Sequence, residues 1–486
     1  MPPWGSYHLA LIVFTMPWNL HKTLVSLAFP YVVAALNNGV GVKPAMGWNP
    51  YNAFACSATE AMYHTQAQSI VSLGLLAVGY QYINLDCGWQ ATSRDSAGKF
   101  QWSNKTLPAG VPALATFVHN LGLKFGVYTD LGVFACDTVG GTAHFIGSLG
   151  HETSDVASYA SRGADYVDNC FAVNSTDFVD FDPPISVRWD NIFRIMNQVV
   201  PITGFAARFN DLDMLEVGNS GLTTAEQRTH FAFWAATKSP LIISTDLTKA
   251  YTQTLNILKN TRIISLNQDA LGKSIAFKRR YTNDHDVWSG PLSDGSTVAL
   301  VINWQDSSRS LTFNLADVGF SSATATDLIT GTSLGKVTTS ITQTVAAHGS
   351  MVLKLTNGVA APTSTFTFYP AASGTLAGGA NTRVVNSSIT VVGFVGNGGT
   401  LLSFDYINGD FTFSNTACSN CRNTFVSVNG GTAVQVQMPI SAQSWDILLS
   451  GYLVSLPGFR AGKTNTITLS NPSAFTPDFY RVGVAV

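Results

Sequence analysis

Ala164-Asp165-Tyr166-Val167-Asp168-Asn169-Cys170 reads as a short strand that delivers a carboxylate, Asp168, at its end. The same form recurs on both sides. Tyr82-Ile83-Asn84-Leu85-Asp86 and Phe125-Gly126-Val127-Tyr128-Thr129-Asp130 precede it, and Arg208-Phe209-Asn210-Asp211-Leu212-Asp213-Met214 follows it. Residues 82–85, 125–128 and 241–244 have the largely continuous apolar character of strands buried on both faces. Between such runs, residues 59–75 and 224–236 repeat apolar side chains at helical spacing, with Thr59-Glu60 and Thr224-Ala225-Glu226 as start signals. This alternation predicts a parallel sheet or barrel. In a (β/α)8 barrel the strand ends, here carrying Asp86, Asp130, Asp168, Asp211 and Asp213, form the catalytic face. Six strand candidates, near Ala45, Ile83, Val127, Tyr166, Phe209 and Ile242, lie between Lys43 and Asp246. A complete barrel needs eight strands and typically ~250 residues, so the expectation is a (β/α)8-type barrel short of two βα units.

The 486 residues are 46% hydrophobic and 12% charged, enough apolar material for several cores. A formal net charge of -2 provides no basic field for nucleic acid or an anionic membrane and suits neutral ligands such as sugars. His21 and Lys22 precede an apolar stretch, residues 24–35, ending in Val33-Ala34-Ala35, the pattern of a secretory signal cleaved after Ala35. Pro30, and a length below the ~18 apolar residues of a spanning helix, set it apart from a membrane anchor. Residues 1–15 form another apolar run before Met16, so Met1 and Met16 both stand as starts. A secreted, extracellular chain with six cysteines is expected to pair them, and Asn104, Asn174 and Asn386 then lie in glycosylation sequons. Cys418 and Cys421 have no second pair or histidines nearby for zinc and are read as a local disulfide.

Beyond the signal, 1–35, the barrel is expected over 36–273. Residues 274–356 change to short alternating runs punctuated by Gly290-Pro291 and Asp294-Gly295, an antiparallel β-domain. A Pro/Thr/Ala-rich connector, 357–365, leads to a second all-β unit over 366–486.

In order, Met46-Gly47-Trp48-Asn49-Pro50-Tyr51-Asn52, the Asp86, Tyr128 and Asp168 segments, and Arg208 to Leu215 resemble glycoside hydrolase family 27, the retaining α-galactosidases and α-N-acetylgalactosaminidases. The resemblance implies release of terminal α-linked galactose from oligosaccharides or galactomannan by two carboxyl groups ~5–5.5 Å apart, with no cofactor and no metal. It assigns the nucleophile to Asp168, an aromatic wall to Trp48 and Tyr51, a sugar-gripping carboxylate to Asp86, a lining role to Tyr128, and strand-seven contacts to Asp213 and Met214. It also implies disulfides Cys56–Cys87 and Cys136–Cys170. Val167 stands where the family has three residues including a sugar-contacting lysine, and Cys87 where it often has a second aspartate.

The family's fifth and sixth strands, the latter ending in the acid/base aspartate, have no counterpart between Val187 and Arg188. That implies impaired catalysis, or an inactive sugar-binding splice or gene-model product; α-N-acetylgalactosaminidase is the alternative activity. Residues 274–356 resemble the β-domain that follows the barrel in this family. Within 366–486, three segments, 369–380, 391–401 and 470–478, resemble carbohydrate-binding module family 35, a β-sandwich. That implies a binding edge at Asn471 and Asp478, with Trp445 read as core. Pro370 and Ala372 replace glutamates that offer this module a structural calcium.

Overall fold

The computed structural model describes residues 41–486 apart from 131, 140–142, 171–187, 204–208, 282–284, 378–387, 396–400, 411–420, 443, 462–463 and 486. Backbone alone is described for 136–139, 143–144, 168–170, 375–377, 388–395 and 421. The first half alternates strand and helix as its apolar periodicity dictates. Strands β1 (Met46–Trp48), β2 (Tyr82–Asn84), β3 (Lys124–Asp130), β6 (Tyr166–Cys170) and β7 (Leu241–Ile243) form one parallel sheet in the order β6-β3-β2-β1-β7. A hairpin, β4 (Phe134–Val139) with β5 (Ala143–Ile146), is inserted after β3.

Helices α1 (Tyr51–Phe54), α2 (Glu60–Ser72), α3 (Val111–Asn120), α4 (Glu152–Ser161), α5 (Trp189–Gln198), α6 (Thr224–Ala236), α7 (Thr252–Leu258) and α8 (Thr261–Asn267) complete this half. On α2, Tyr63, Ala67 and Ile70 recur at helical spacing and are buried. Helix α6 starts in a capping box in which Thr223 and Glu226 satisfy each other's backbone N–H groups.

No strand forms at Phe209. The contact falls instead at Leu215, which makes a single parallel bridge to Ile243. The reason is local: Asp213 has φ 73, a left-handed backbone that interrupts any extended run through 209–213. Among the described residues, nothing pairs with the outer edge of β6.

Strands β8 (Ala276–Tyr281), β9 (His285–Pro291), β10 (Thr297–Asn303), β11 (Arg309–Asn314), β12 (Phe320–Asp327), β13 (Ser333–Thr338), β14 (Ser340–Val345) and β15 (Ser350–Ala360) make a six-stranded antiparallel sheet, β13-β12-β15-β10-β9-β8, and the pair β11-β14. Side chains alternate across β10. Val298, Leu300 and Ile302 join the core shared with α6 and the parallel sheet, while Ala299 and Val301 pack with Leu311, Phe313 and Leu353. Strand β15 continues through residues 357–360, where Val359 and Ala360 pair with Ser322 and Phe320 of β12. The start of the expected connector is therefore strand, because β12 supplies its ladder partners.

Strands β16 (Phe366–Pro370), β17 (Thr375–Ala377), β18 (Ser388–Val395), β19 (Leu401–Ile407), β20 (Cys421–Val428), β21 (Val434–Pro439), β22 (Leu449–Ser455), β23 (Thr464–Ser470) and β24 (Asp478–Ala485) form two facing sheets, β16-β24-β19-β22 and β17-β18-β23-β20-β21. Leu402, Phe404, Tyr406 and Val482 of the first pack against Val426, Val436 and Ile467 of the second. This sandwich docks on β8: the Phe277 and Tyr452 rings stack at 6.2 Å, and Arg279 Nη2 donates to Ser455 Oγ at 2.7 Å.

Candidate active site

Parallel order brings the carboxyl ends of β1, β2, β3 and β6 side by side. In the β3/β6 register Tyr128 is the partner of Asp168, so the candidate nucleophile sits beside the predicted lining residue. Asp168 is described by backbone alone.

Asp86 follows β2 and is 9% exposed. Its Oδ2 accepts from Asn49 Nδ2 at 2.6 Å and its Oδ1 from the Cys87 N–H at 2.6 Å. Its own N–H points to the Tyr63 hydroxyl at 3.4 Å, and burial holds that phenol well above its ordinary range. Cys87 is bonded to Cys56, the expected disulfide. Between the cysteines the backbones are so close that a Cβ on Gly88, φ 86, would lie 2.0 Å from the Cys56 carbonyl oxygen, so only glycine fits. Tyr51 and Tyr128 are both half-buried against the small cluster of Cys87, Ala135 and Phe145. A half-buried aromatic beside an oriented carboxylate suits a pyranose, whose C–H face takes the ring and whose hydroxyls take the carboxylate.

Trp48 corrects the expectation of an aromatic wall. It is fully buried, its Nε1 donates to Thr245 O at 2.9 Å, and its ring meets Tyr63 of α2 edge-on at 6.0 Å. Alternation along β1 turns Trp48 toward the helix layer and leaves Asn49, at the strand end, to face Asp86.

The segment before the Leu215 bridge is more open. Asp213 is exposed, accepts from the Met214 N–H at 2.5 Å, and presents its backbone oxygen to Trp234 Nε1 at 2.8 Å. Met214 is half-buried beside it. Desolvation pushes the Asp211 carboxyl above the usual carboxylate range although its side chain keeps exposed surface, and the Asp213 N–H pulls the other way. Three residues beyond Asp213, the Glu216 N–H donates to His230 Nε2 at 3.0 Å, and the Glu216 carboxylate accepts from Asn52 Nδ2 at 2.8 Å and Asn219 Nδ2 at 2.5 Å. Asn49, Asn52 and Glu216 escaped the sequence reading. The only signal was polar side chains at strand ends, where apolar ones would suffice for packing.

In the C-terminal sandwich, Asn471 is 4% exposed and committed to its own loop. Its Nδ2 donates to Asn423 O, and its Oδ1 accepts from the Ser473 and Ala474 N–H groups. Its side chain organises the turn, where a binding edge was expected. Asp478 is exposed at the start of β24. Trp445, expected in the core, is 43% exposed, with the Arg422 guanidinium 4.5 Å from its ring. Asn104 is exposed in a turn. Asn174, Asn386 and Cys418, and the side chains of Cys136, Cys170 and Cys421, lie outside the described residues. Among the described residues, no cluster of three or more His, Cys, Asp or Glu is set to hold a metal.

The chain matches the family model described as "Alpha galactosidase A" over residues 43–188 and 176–269, and "Alpha galactosidase C-terminal beta sandwich domain" over 282–355. It is 35% identical to "Probable alpha-galactosidase D" of Aspergillus niger, across 90% of this chain and 71% of that protein. With the "Probable alpha-galactosidase D" of Neosartorya fischeri the identity is 38%, across 66% of this chain and 58% of that one. The chain thus spans well under the full length of these relatives. Among solved structures, alpha-galactosidase I from Mortierella vinacea superposes with a TM-score of 0.59 at 27% identity, covering 67% of this chain and all of that one.

Proposed function

This chain belongs to glycoside hydrolase family 27, the alpha-galactosidases, and we propose that it is a secreted retaining enzyme acting on terminal α-linked galactose in oligosaccharides or galactomannan. The observation that carries this reading is the backbone register of Asp168 with Tyr128, at the carboxyl edge of the sheet where Asp86 follows β2 and Tyr51 follows β1. Asp168 attacks the anomeric carbon, a covalent galactosyl-enzyme forms, and water hydrolyses it. Asp86 and Tyr51 hold the sugar; Asp213 and Met214 approach from the segment before the Leu215 bridge. Galactose is favoured over N-acetylgalactosamine by the names of the relatives above. The C-terminal sandwich is read as a carbohydrate-binding module of the family 35 type, presenting Asp478.

The departing oxygen needs a proton, and in this reading the segment that would supply it is absent between Val187 and Arg188. Two matched stretches of one family model that overlap at residues 176–188 support an interruption there. The literal chain is then a sugar-binding protein with a crippled acid step. Restoring a family-length segment at that junction should raise turnover of an unactivated oligosaccharide about 100- to 10,000-fold, and of an activated aryl galactoside less. Equal rates on the oligosaccharide would overturn the impaired-acid reading. In the restored protein, a fluorinated galactosyl inactivator should label the peptide containing Asp168, and labelling elsewhere would overturn the nucleophile.

A further inference from the structure

We infer that Asn49 is the positioning residue that sets both halves of the sugar grip, Asp86 and Tyr51, through one amide. Its two polar atoms face opposite demands. Nδ2 donates to Asp86 Oδ2 at 2.6 Å, and Oδ1 accepts from the Tyr51 N–H at 2.8 Å. A carboxylate can only accept and a backbone N–H can only donate, so the chemistry of the partners dictates which end of the amide points where. Aspartate or leucine at this position cannot satisfy both at neutral pH, and glutamine is a methylene too long for the gap.

The backbone that carries this amide is itself held, and the residue is buried. Asn49 is 2% exposed, its N–H donates to Ile243 O at 2.9 Å, and its carbonyl accepts from Ser244 Oγ at 3.1 Å. The end of β7 thus fixes Asn49, and Asn49 fixes the carboxylate after β2 and the first residue of α1. A buried charge-assisted hydrogen bond of this kind is among the stronger ones, and its loss frees Asp86 to turn away from the sugar.

This inference rests on the sugar-binding reading above, and the test separates the two. Galactose binding to the whole chain is measured by calorimetry, which needs no turnover, for the parent, Asn49→Leu and Asn49→Asp, each from pH 4 to pH 7. Asn49→Leu should weaken galactose about 10- to 100-fold at every pH. Asn49→Asp should match it at pH 7, where two carboxylates face each other, and recover toward the parent at pH 4. There the protonated side chain donates to Asp86 with one oxygen and accepts from Tyr51 with the other, as the amide does. The Tyr63 phenol, which faces Asp86 from α2, stays neutral throughout that range and leaves the recovery to the new carboxyl. A purely structural role would produce no acid recovery. Parent-like binding by Asn49→Leu, or an Asn49→Asp profile parallel to the parent's, would overturn the role of Asn49 alone. No galactose binding by the parent would overturn the function and this role together.

Discussion

Two aspartates near the carboxyl edge of one sheet, Asp86 after β2 and Asp213 in the irregular segment before the Leu215 bridge, are held in opposite ways. Asp86 is buried, and each of its oxygens takes a donor, one from a fixed amide and one from a backbone N–H tied to a disulfide. Asp213 is exposed, left-handed in its backbone, and hydrogen-bonded through its carboxylate to the next residue. Its surroundings are steadied one layer back, by His230 on Glu216. One end is clamped by groups that do not titrate near neutrality; the other depends on an imidazole staying neutral.

The largest break in this comparison should come from the clamp. Replacing Cys56 and Cys87 together by serine opens a cross-link between residues 31 apart and should lower unfolding stability by about 4 kcal/mol. Denaturant unfolding measures it, and galactose affinity should fall with it. A stability loss with unchanged affinity would show that the Cys87 N–H keeps Asp86 in place without the bond.

Acid should sharpen the contrast next. Burial holds the His230 imidazole down to about 3, from an ordinary 6.5. The folded state binds that proton less readily than the unfolded one, so this contribution is complete above pH 6.5 and is lost as pH falls toward 3. At pH 4 the loss should be about 3 kcal/mol. His285, lowered to about 4 by burial, works in the same direction. Thermal unfolding from pH 7 to pH 4 should therefore show a falling Tm, and His230→Gln, which keeps an acceptor for the Glu216 N–H without a titrating ring, should flatten part of the slope. An unchanged slope would remove His230 as the acid-sensitive support.

The smallest effect belongs to the open end. Asp213→Gly gives up the carboxylate's bond to the Met214 N–H, relieves a left-handed backbone, and should change stability by less than about 1 kcal/mol. Asp86→Gly leaves two buried donors unpaired and should cost about 2–3 kcal/mol or more. Equal costs in urea unfolding would erase the difference between the two ends.

Much of the strand layout was legible because buried parallel strands are apolar throughout and end in polar residues. Ile83, Val127, Tyr166 and Ile242 all lie in strands. Phe209 does not, since periodicity carries no information about a residue such as Asp213 that adopts positive φ. Tyr51 and Asp86 were singled out by motif order, and the structure joins them through the Asn49 amide. Trp48 was misplaced for a reason motif order cannot supply: neighbours along a strand face opposite layers, and only the sheet's position against α2 says which layer is solvent and which is core. At Asn471 motif order likewise did not show that the side chain is spent on its own loop, as an asparagine in a turn often is.

The sequence by itself determined the alternation of strand and helix, the carboxylates at the strand ends, the family and the partners of its first disulfide, since these depend on residue type and order. Tertiary structure alone decided that Asn49 links Asp86 to Tyr51, that His230 supports Glu216, that β15 continues through residues 357–360 and that the last sandwich docks on Phe277 and Arg279. Each joins groups distant in the chain or depends on a neighbouring strand, and hydrogen bonds and packing are set by distances of a few ångströms that no local pattern records.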